Sequence, residues 1–384
     1  MKIKEINVYP AFIPCELELG EAKAANALSC AVLEIKTDEG LTGYGFTAIT
    51  DEEVVAAIVR ELVAPALLDH DPLHREAIAE KLYWLLTPRG QTGYASHVIS
   101  AVDLALWDIF GKMTGLPCWR LMGGARAEVP LYVTFGFGSF SREQLVQAAT
   151  HLKGDGVTRF KMVVGAQALA RRDQGRPVDE VIREDVRRVA AVREAIGSEA
   201  ELFVDANCSL DPGSARYLAD AMRDSHVSFF EEPMRDNDVH KMRDLRQQTG
   251  VRVAAGQNEG QLFRFRDLIV NEAVDVIQPN VVICGGFTAA MKIAGMAQAH
   301  NVTIDNGGAF PFHNMHLHAG LASGGLVEWH LISVDMCRQL YTGLPDRVGS
   351  TLTLPETPGL GFEANPDALQ EFAQRASSRG AGKG

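Results

Sequence analysis

The chain has 384 residues, which is long enough for two domains or for one barrel plus an added module. Of these residues 46% are hydrophobic and 22% are charged, a composition typical of a globular protein. Its formal net charge is -12, and no run rich in lysine and arginine occurs, which argues against a nucleic acid or an anionic membrane as partner. The first ten residues lack the apolar core of a signal peptide. The six cysteines are scattered without CxxC spacing, so we expect reduced thiols in a cytoplasmic protein.

The first third of the chain predicts strands followed by helices. INVYPAFI, SCAVLEIKT and LTGYGFT have the composition of strands, with a turn at DEG before the last. Three helices are expected next, at EEVVAAIVRELVAPALL with Asp51 as N-cap, at PLHREAIAEKLYWLL, and at SHVISAVDLALWDIFGKMTG. The third helix is apolar nearly all round and ends at Gly115, so we expect it to be buried.

From about Val129, short apolar strands alternate with longer helical segments. The strand segments are PLYVTFG, RFKMVVG, ELFVDAN, VSFFEEP, VRVAAGQ, VDVIQPN, NVTIDNG and LVEWHLI. This alternation requires a parallel sheet covered by helices, and seven or eight such units most often close into a barrel. A doubly wound open sheet is the alternative, but no GxGxxG turn follows any of these strands.

Polar side chains follow the predicted strands at their carboxyl ends, where a barrel places its reactive groups. In chain order they are Lys161, Asp205, Glu231, Glu232, Gln257, Asn280, Asn306 and Glu328. Asp205, Glu231 and Gln257 follow one another at intervals of 26 residues, which is one strand–helix unit. Three oxygen ligands on adjacent strands suit a hard cation such as Mg²⁺.

Five segments, ISAVDLALWDIFGK, FVDAN, FFEEP, IQPNVVICGG and LPETPGLGFE, resemble the mandelate racemase branch of the enolase superfamily. The resemblance implies an α/β fold, with a modified (β/α) TIM-type barrel over residues 127–340 and an α+β capping domain. Residues 1–126 would form that cap, with a C-terminal return and flexible tail over 341–384. The resemblance also implies Mg²⁺-assisted removal of the proton α to a carboxylate, giving an enediolate. Asp205 and Glu231 match two of the three metal ligands, and Glu328 matches the glutamate that stabilises or protonates the enediolate.

The chain departs from the family pattern at the third ligand and at both usual bases. Gln257 stands in GQN where the family has GEN; its amide oxygen can still coordinate Mg²⁺, and Glu259 is the alternative ligand. Val163 replaces the second lysine of the family's Lys-x-Lys. On the later strands, Asn280 stands at the usual aspartate and Gly307 at the usual histidine.

Lys161 is the first candidate for the base, because a desolvated lysine beside a cation has its pKa lowered. Its alternative role is only to bind the substrate carboxylate. His313, in the segment FHNMHLH, is the second candidate, while His316 and His318 are expected to face a helix surface. His330 is expected to point inward but to lie deep in the barrel.

The leading hypothesis is therefore a Mg²⁺-dependent acid-sugar dehydratase, a carbon–oxygen lyase that abstracts an α-proton and expels the β-hydroxyl. A racemase or epimerase of a 2-hydroxy or amino acid derivative is the alternative enzyme, and a binder that has lost the chemistry is the third hypothesis. Asn207, Asn280 and Asn306 are expected to bind substrate, whose identity the loops near residues 15–28 and 46–52 would set. The expected partner is a small carboxylate, with no nucleic acid or membrane, and we expect a homo-oligomer.

Overall fold

The computed structural model describes residues 1–165 and 177–381. The N-terminal strands form an antiparallel sheet in the order β1 (Ile3–Leu19), β2 (Ala22–Thr37) and β3 (Thr42–Ala48), which confirms the three predicted strands. β1 and β2 make one long hairpin that stays in register to its tip, with its one irregularity at the open end between Ile3 and Glu5. No helix in the described ranges is long and apolar enough to cross a membrane.

The helices of the N-terminal region pack on this sheet. They are α1 (Glu52–Ile58), which continues through a π-helical turn (Val59–Val63) into α2 (Ala64–Leu67), then α3 (Arg75–Gly90), α4 (Tyr94–Thr114) and α5 (Cys118–Leu121). Asp51 caps α1 as predicted, and α4 is buried along nearly its whole length and ends at a left-handed Gly115. A Cβ on Gly45 of β3 would lie 1.7 Å from the carbonyl oxygen of Ala101, so this glycine lets α4 approach the sheet directly.

Eight parallel strands form the second part of the molecule. They are β4 (Glu128–Gly136), β5 (Arg159–Val163), β6 (Glu201–Asp205), β7 (Phe229–Glu231), β8 (Val253–Ala255), β9 (Val276–Ile277), β10 (Thr303–Ile304) and β11 (Val327–His330). Neighbouring strands pair in chain order, and β11 pairs with β4. A hydrogen bond of 2.8 Å from Asn306 N to Leu326 O links the last two strands. The predicted TIM-type barrel is therefore confirmed, and the open sheet is excluded.

Helices cover the outside of the barrel. They are α6 (Arg142–Gly154), α7 (Val178–Ile196), α8 (Pro212–Ala221), α9 (Val239–Thr249), α10 (Gln261–Val270), α11 (Gly286–Ala299), α12 (Pro311–Gly320) and α13 (Leu331–Leu340), with short 3₁₀ turns at Arg223–Ser225 and Arg235–Asn237. Inside the barrel an apolar floor is formed by Tyr132, Phe203, Phe229, Ala254 and Val276. This floor closes the barrel beneath the polar strand ends and keeps water away from them.

The C-terminal segment contacts both parts of the molecule. It contains β12 (Tyr341–Thr342), β13 (Arg347–Val348), β14 (Thr351–Thr353), β15 (Glu363–Ala364) and α14 (Pro366–Ala381). β13 and β14 form a hairpin, of which β14 runs antiparallel to barrel strand β4. Beyond it, α14 packs against β1 of the N-terminal sheet. The chain thus adds a hairpin to the barrel before it returns to the cap.

The tip of the β1–β2 hairpin lies along the barrel wall. Glu16 N donates to Asp335 Oδ2 on α13 at 3.2 Å, and Gln147 on α6 donates to Glu21 at 3.2 Å. Residues 15–28 therefore do not form the loop that was expected to select the substrate, because they are paired strands joined by a two-residue turn.

Candidate functional site

Lys161 lies at the centre of a cluster of buried carboxylates. Its Nζ is 2.7 Å from Glu231 Oε2, 3.0 Å from Glu328 Oε1 and 3.1 Å from Asp205 Oδ2. The four side chains come from β5, β6, β7 and β11, and each is at most 4% exposed. The repeat of strand ends read from the sequence thus brings Lys161, Asp205, Glu231 and Glu328 together.

Burial alone would lower the pKa of Lys161, but the attraction of Glu231 and Glu328 outweighs it and raises this pKa well above its ordinary value. The predicted lowering of the Lys161 pKa concerns the metal-bound site, where a cation would lie beside the lysine, and it stays a prediction. For Glu328, burial favours the neutral acid, but the positive charge of Lys161 more than offsets it and lowers the pKa. Lys161 and Glu328 therefore form a charged pair within the carboxylate cluster.

Asp205 and Glu231 carry more negative charge than Lys161 balances. Burial and the charge of Asp205 raise the pKa of Glu231 well above its usual range. Glu231 Oε1 is buried and has no hydrogen-bond partner among the described residues. An orphaned buried oxygen in a site with excess negative charge fits a hard divalent cation such as Mg²⁺.

The third predicted metal ligand is Gln257, which lies two residues beyond the end of β8. Its Nε2 donates to Glu232 Oε2 at 2.9 Å and is 3.5 Å from Asp205 Oδ2. The amide nitrogen thus faces the acidic cluster, and ligation of a cation requires the amide to turn its oxygen there instead. Within residues 1–165 and 177–381, no three acidic, histidine or cysteine side chains group as a metal site, so a third protein ligand would be of another type, such as this amide.

Glu259, the alternative ligand, is engaged elsewhere. Arg264 binds its carboxylate at 2.7 Å, and Asn237 Nδ2 donates to it at 3.1 Å. Because β8 ends at Ala255, strand alternation does not place Glu259 on the same face as Gln257. The arrangement favours Gln257 over Glu259.

Glu232 is the site residue to which the sequence reasoning gave no role. It is fully buried, has a positive φ of 39°, and accepts hydrogen bonds from the amides of Gln257, Asn258 and Asn237. Burial raises its pKa, as does the charge of Asp205. The two adjacent glutamates in FFEEP could have indicated this role, but only the first of them, Glu231, was assigned to the metal site.

Two further side chains of the cluster were also missed. Gln278 Nε2 donates to Glu231 Oε2 at 3.0 Å, and Thr134 Oγ1 donates to Glu328 Oε1 at 2.5 Å. A Cβ on Gly307 would come within 2.9 Å of Gln278 Nε2. Gln278 therefore occupies the space next to the position where the family has its histidine, and a side chain at Gly307 would require it to move.

Asn280 and Asn306, expected to bind substrate, are committed to internal hydrogen bonds. Asn280 Nδ2 donates to Gly308 O at 2.7 Å, and its Oδ1 accepts from Asn314 at 2.9 Å. Asn306 Nδ2 donates to Gly307 O at 2.9 Å, and its Oδ1 accepts from Glu328 N at 3.1 Å. Both are fully buried, so the structure assigns them to holding the strand ends.

Asn207 has the opposite environment, being exposed and in a left-handed conformation with a φ of 46°. Its backbone N–H donates to Asp205 Oδ1 at 2.8 Å. The side chain thus stands beside a proposed metal ligand and is accessible, which suits contact with a substrate.

His313 lies in an aromatic cluster between the cap and the C-terminal segment. Its ring stacks on Phe46 with centroids 4.8 Å apart and meets the rings of Tyr341 and Phe362 edge-on. Neither ring nitrogen has a hydrogen-bond partner among the described residues, and burial lowers the pKa to about 3. The expectation of a catalytic His313 is corrected, because its described contacts are aromatic and involve none of the clustered carboxylates.

His316 and His318 do not face a helix surface as expected, since both are fully buried. His316 Nε2 lies 2.9 Å from Leu360 O, and His318 Nδ1 accepts from Gly325 N at 3.2 Å. Burial lowers the pKa of His316 to about 4 and that of His318 to about 3. The pattern in the sequence did not indicate that α12 is enclosed by other parts of the chain, among them the segment between β14 and β15 that contains Leu360.

His330 ends β11 and is partly exposed. The expectation that it lies deep in the barrel is wrong, because parallel strands run toward the reactive mouth and His330 follows Glu328 in that direction. Its neighbour across the strand pair is Thr134, which bonds Glu328.

A barrel with acidic strand ends and an α+β cap defines a class of metal-assisted enzymes, and sequence comparison gives the family. The chain matches the mandelate racemase/muconate lactonizing enzyme N-terminal domain over residues 7–123 and the enolase C-terminal domain-like family over residues 144–368. This protein belongs to the mandelate racemase branch of the enolase superfamily.

Two of the similar proteins are named for reactions of sugar acids. An arabinonate dehydratase of Saccharolobus solfataricus is 27% identical over 356 residues, covering 91% of this chain and 92% of that protein. A 3,6-anhydro-alpha-L-galactonate cycloisomerase of Streptomyces coelicolor is 30% identical over 320 residues, covering 82% and 83%. A racemase from Streptomyces coelicolor A3(2), solved with bound magnesium, has a TM-score of 0.86 and 26% identity, covering 96% of this chain and 99% of its own.

Proposed function

We propose that this protein is a Mg²⁺-dependent dehydratase of acid sugars. The observation that carries the proposal is the buried cluster of Lys161, Asp205, Glu231 and Glu328 at the carboxyl ends of the barrel strands, in which Glu231 Oε1 has no hydrogen-bond partner among the residues that the structure describes. The similarity to an arabinonate dehydratase supports the substrate class.

Asp205, Glu231 and Gln257 are the residues we assign to holding Mg²⁺. The bound metal would supply Lewis-acid stabilisation of the negative charge on the substrate carboxylate. Gln278 fixes one oxygen of Glu231, which leaves the unpartnered Oε1 available as a ligand. Asn207, accessible beside Asp205, is assigned to the substrate.

We assign Lys161 to the α-carbon of the substrate. As an ammonium group it holds the carboxylate, and in its neutral form it takes the α-proton while the electron pair of the C–H bond moves into the carboxylate. The resulting enediolate expels the β-hydroxyl, which leaves as water with the proton that Lys161 took from the α-carbon, and the enol product tautomerises to a 2-keto-3-deoxy acid. Glu328, held by Thr134 and Ala309 N, positions Lys161 throughout.

A second candidate function is a binder of acid sugars without turnover. It is favoured by Val163 and Gly307 at the two usual base positions. Such a protein would keep the metal and the substrate contacts and lack proton transfer.

A screen of acid sugars separates the two functions. The purified protein with Mg²⁺ is incubated with aldonates and aldarates, and 2-keto-3-deoxy products are assayed. The dehydratase forms such a product from at least one member, and Asp205→Asn abolishes it. Binding of a sugar acid by calorimetry without any product would support the binder and contradict the dehydratase.

A further inference from the structure

His330 combines a position at the mouth of the barrel with a ring held in one defined tautomer. It is the N-cap residue of α13, and its Nδ1 accepts a hydrogen bond from Ser333 N at 3.3 Å. A ring nitrogen that accepts from a backbone N–H carries a lone pair and no proton. The neutral imidazole must therefore carry its proton on Nε2.

The same contact disfavours the imidazolium, because protonation of Nδ1 would place two N–H groups against each other. Burial also lowers the pKa of His330; the negative charge of Glu328 opposes this shift and the positive charge of Lys161 reinforces it. The N-terminus of a helix further disfavours a cation at this position. A neutral imidazole at a helix N-terminus is known to serve as a hydrogen-bond donor that polarises a substrate oxygen.

The surroundings leave Nε2 available for a ligand. Phe137 packs on the ring with centroids 5.3 Å apart, and His330 pairs along the sheet with Thr134, which also pairs with Lys161 on its other side. No residue in the described ranges accepts a hydrogen bond from Nε2, and the side chain is partly exposed. His330 and Lys161 thus flank β4 at the mouth.

We propose that His330 contacts the substrate, donating a hydrogen bond from Nε2 as a neutral imidazole to a hydroxyl or carboxylate oxygen of the acid sugar. The inference rests on the proposed function for its ligand. The tautomer itself is independent of turnover. In this role His330 is a donor and not the missing base, because its only available nitrogen already carries a proton.

The first test is ¹⁵N NMR of the histidine rings in the Mg²⁺-loaded protein at neutral pH, with His330→Asn used to assign the signal. The expected spectrum shows a protonated Nε2 and an unprotonated Nδ1 for His330. A protonated Nδ1, in either the other neutral tautomer or the imidazolium, would overturn the proposal whatever the enzyme does.

The second test measures binding of arabinonate and galactarate by calorimetry. His330→Asn keeps the cap, because an asparagine oxygen can accept from Ser333 N, and removes only the Nε2 donor. We expect about tenfold weaker binding of the sugar acid that the unmutated protein binds, with Mg²⁺ affinity unchanged. His300→Gln, at an exposed position directly after α11, is the control. Unchanged affinity in His330→Asn would overturn the substrate contact, whereas no binding by the unmutated protein, with the expected tautomer, would instead count against the proposed function.

Discussion

The side-chain amide of Gln257 donates a hydrogen bond to the buried carboxylate of Glu232, with Nε2 2.9 Å from Oε2. The glutamate that the family usually has at this position would place a second carboxylate against that of Glu232. The two carboxylates would repel each other unless a cation lay nearby. The amide removes one negative charge and replaces a repulsive contact with a hydrogen bond. We therefore expect the glutamine to stabilise the metal-free protein and to weaken metal binding.

The variant Gln257→Glu should show both effects. Without divalent cations we expect its free energy of unfolding to fall by roughly 2 kcal/mol, because two buried carboxylates then face each other. Mg²⁺ should restore more stability than it does in the unmutated protein, and calorimetry should give tighter Mg²⁺ binding. Adding Glu232→Gln to this variant should recover the metal-free stability. Equal stability of Gln257→Glu and the unmutated protein in chelator would contradict this reading.

Asp205→Asn tests the metal site. Removing a charged ligand should weaken Mg²⁺ binding by at least about 100-fold, since even partners behind the ligands typically contribute 10–100-fold. The circular dichroism spectrum should be unchanged. The matched control is Asp220→Asn, which removes an exposed carboxylate that pairs with Arg223. If both variants bind Mg²⁺ like the unmutated protein, Asp205 is not a ligand.

The buried imidazole of His313 predicts a loss of stability in acid. Its pKa in the folded protein is about 3, below the unfolded value of roughly 6.5, so the unfolded chain takes up the proton first as pH falls. The stability that neutral His313 contributes to the folded protein is therefore fully present above about pH 6.5 and is lost as the pH falls below that value. Between pH 8 and pH 5, His313→Phe should lose about 2 kcal/mol less unfolding free energy than the unmutated protein. Urea unfolding at pH 8 and pH 5 measures the free energy of unfolding of each protein, with His300→Gln as control. If His313→Phe and the unmutated protein lose the same unfolding free energy between the two pH values, the prediction is refuted.

Asn280 and Asn207 should respond differently to replacement by alanine. Asn280→Ala leaves Gly308 O without its donor and removes the oxygen that accepts from Val282 N and Asn314 Nδ2, so we expect a loss of about 2–3 kcal/mol in unfolding free energy. Asn207→Ala should change stability by less than about 0.5 kcal/mol and weaken the binding of a sugar acid. Denaturant titration and calorimetry test the pair. A stable Asn280→Ala protein with weakened substrate binding would return Asn280 to the substrate site.

The barrel could be predicted from the sequence because strand ends recur at a fixed interval, and that interval placed Asp205 and Glu231 next to each other. What failed was any inference that needed the surroundings of a side chain. Glu232 is buried because Gln257, Asn258 and Asn237 bond it, and these three residues come from two different connections. No local pattern reports such a contact.

The histidines of α12 show the same limit. Their spacing would suit an exposed face, but the cap strand carrying Phe46 packs on His313 and the segment around Leu360 contacts His316. The carboxylates that raise the pKa of Lys161 in the metal-free site likewise come from strands distant in sequence. Contacts between parts distant in sequence determined both outcomes.

The central claim is that Lys161 removes the α-proton of an acid sugar. The most direct measurement is hydrogen–deuterium exchange at the α-carbon, followed by NMR in D₂O with Mg²⁺, for the unmutated protein, Lys161→Met and Lys161→Arg. Arginine keeps a cation that can hold the substrate carboxylate but cannot act as a base, so it separates the two roles of the lysine. We predict exchange with at least one sugar acid in the unmutated protein and none in either variant, with sugar-acid binding retained in Lys161→Arg. Exchange that persists in Lys161→Arg, or none in the unmutated protein across a broad panel of acid sugars, would contradict the claim.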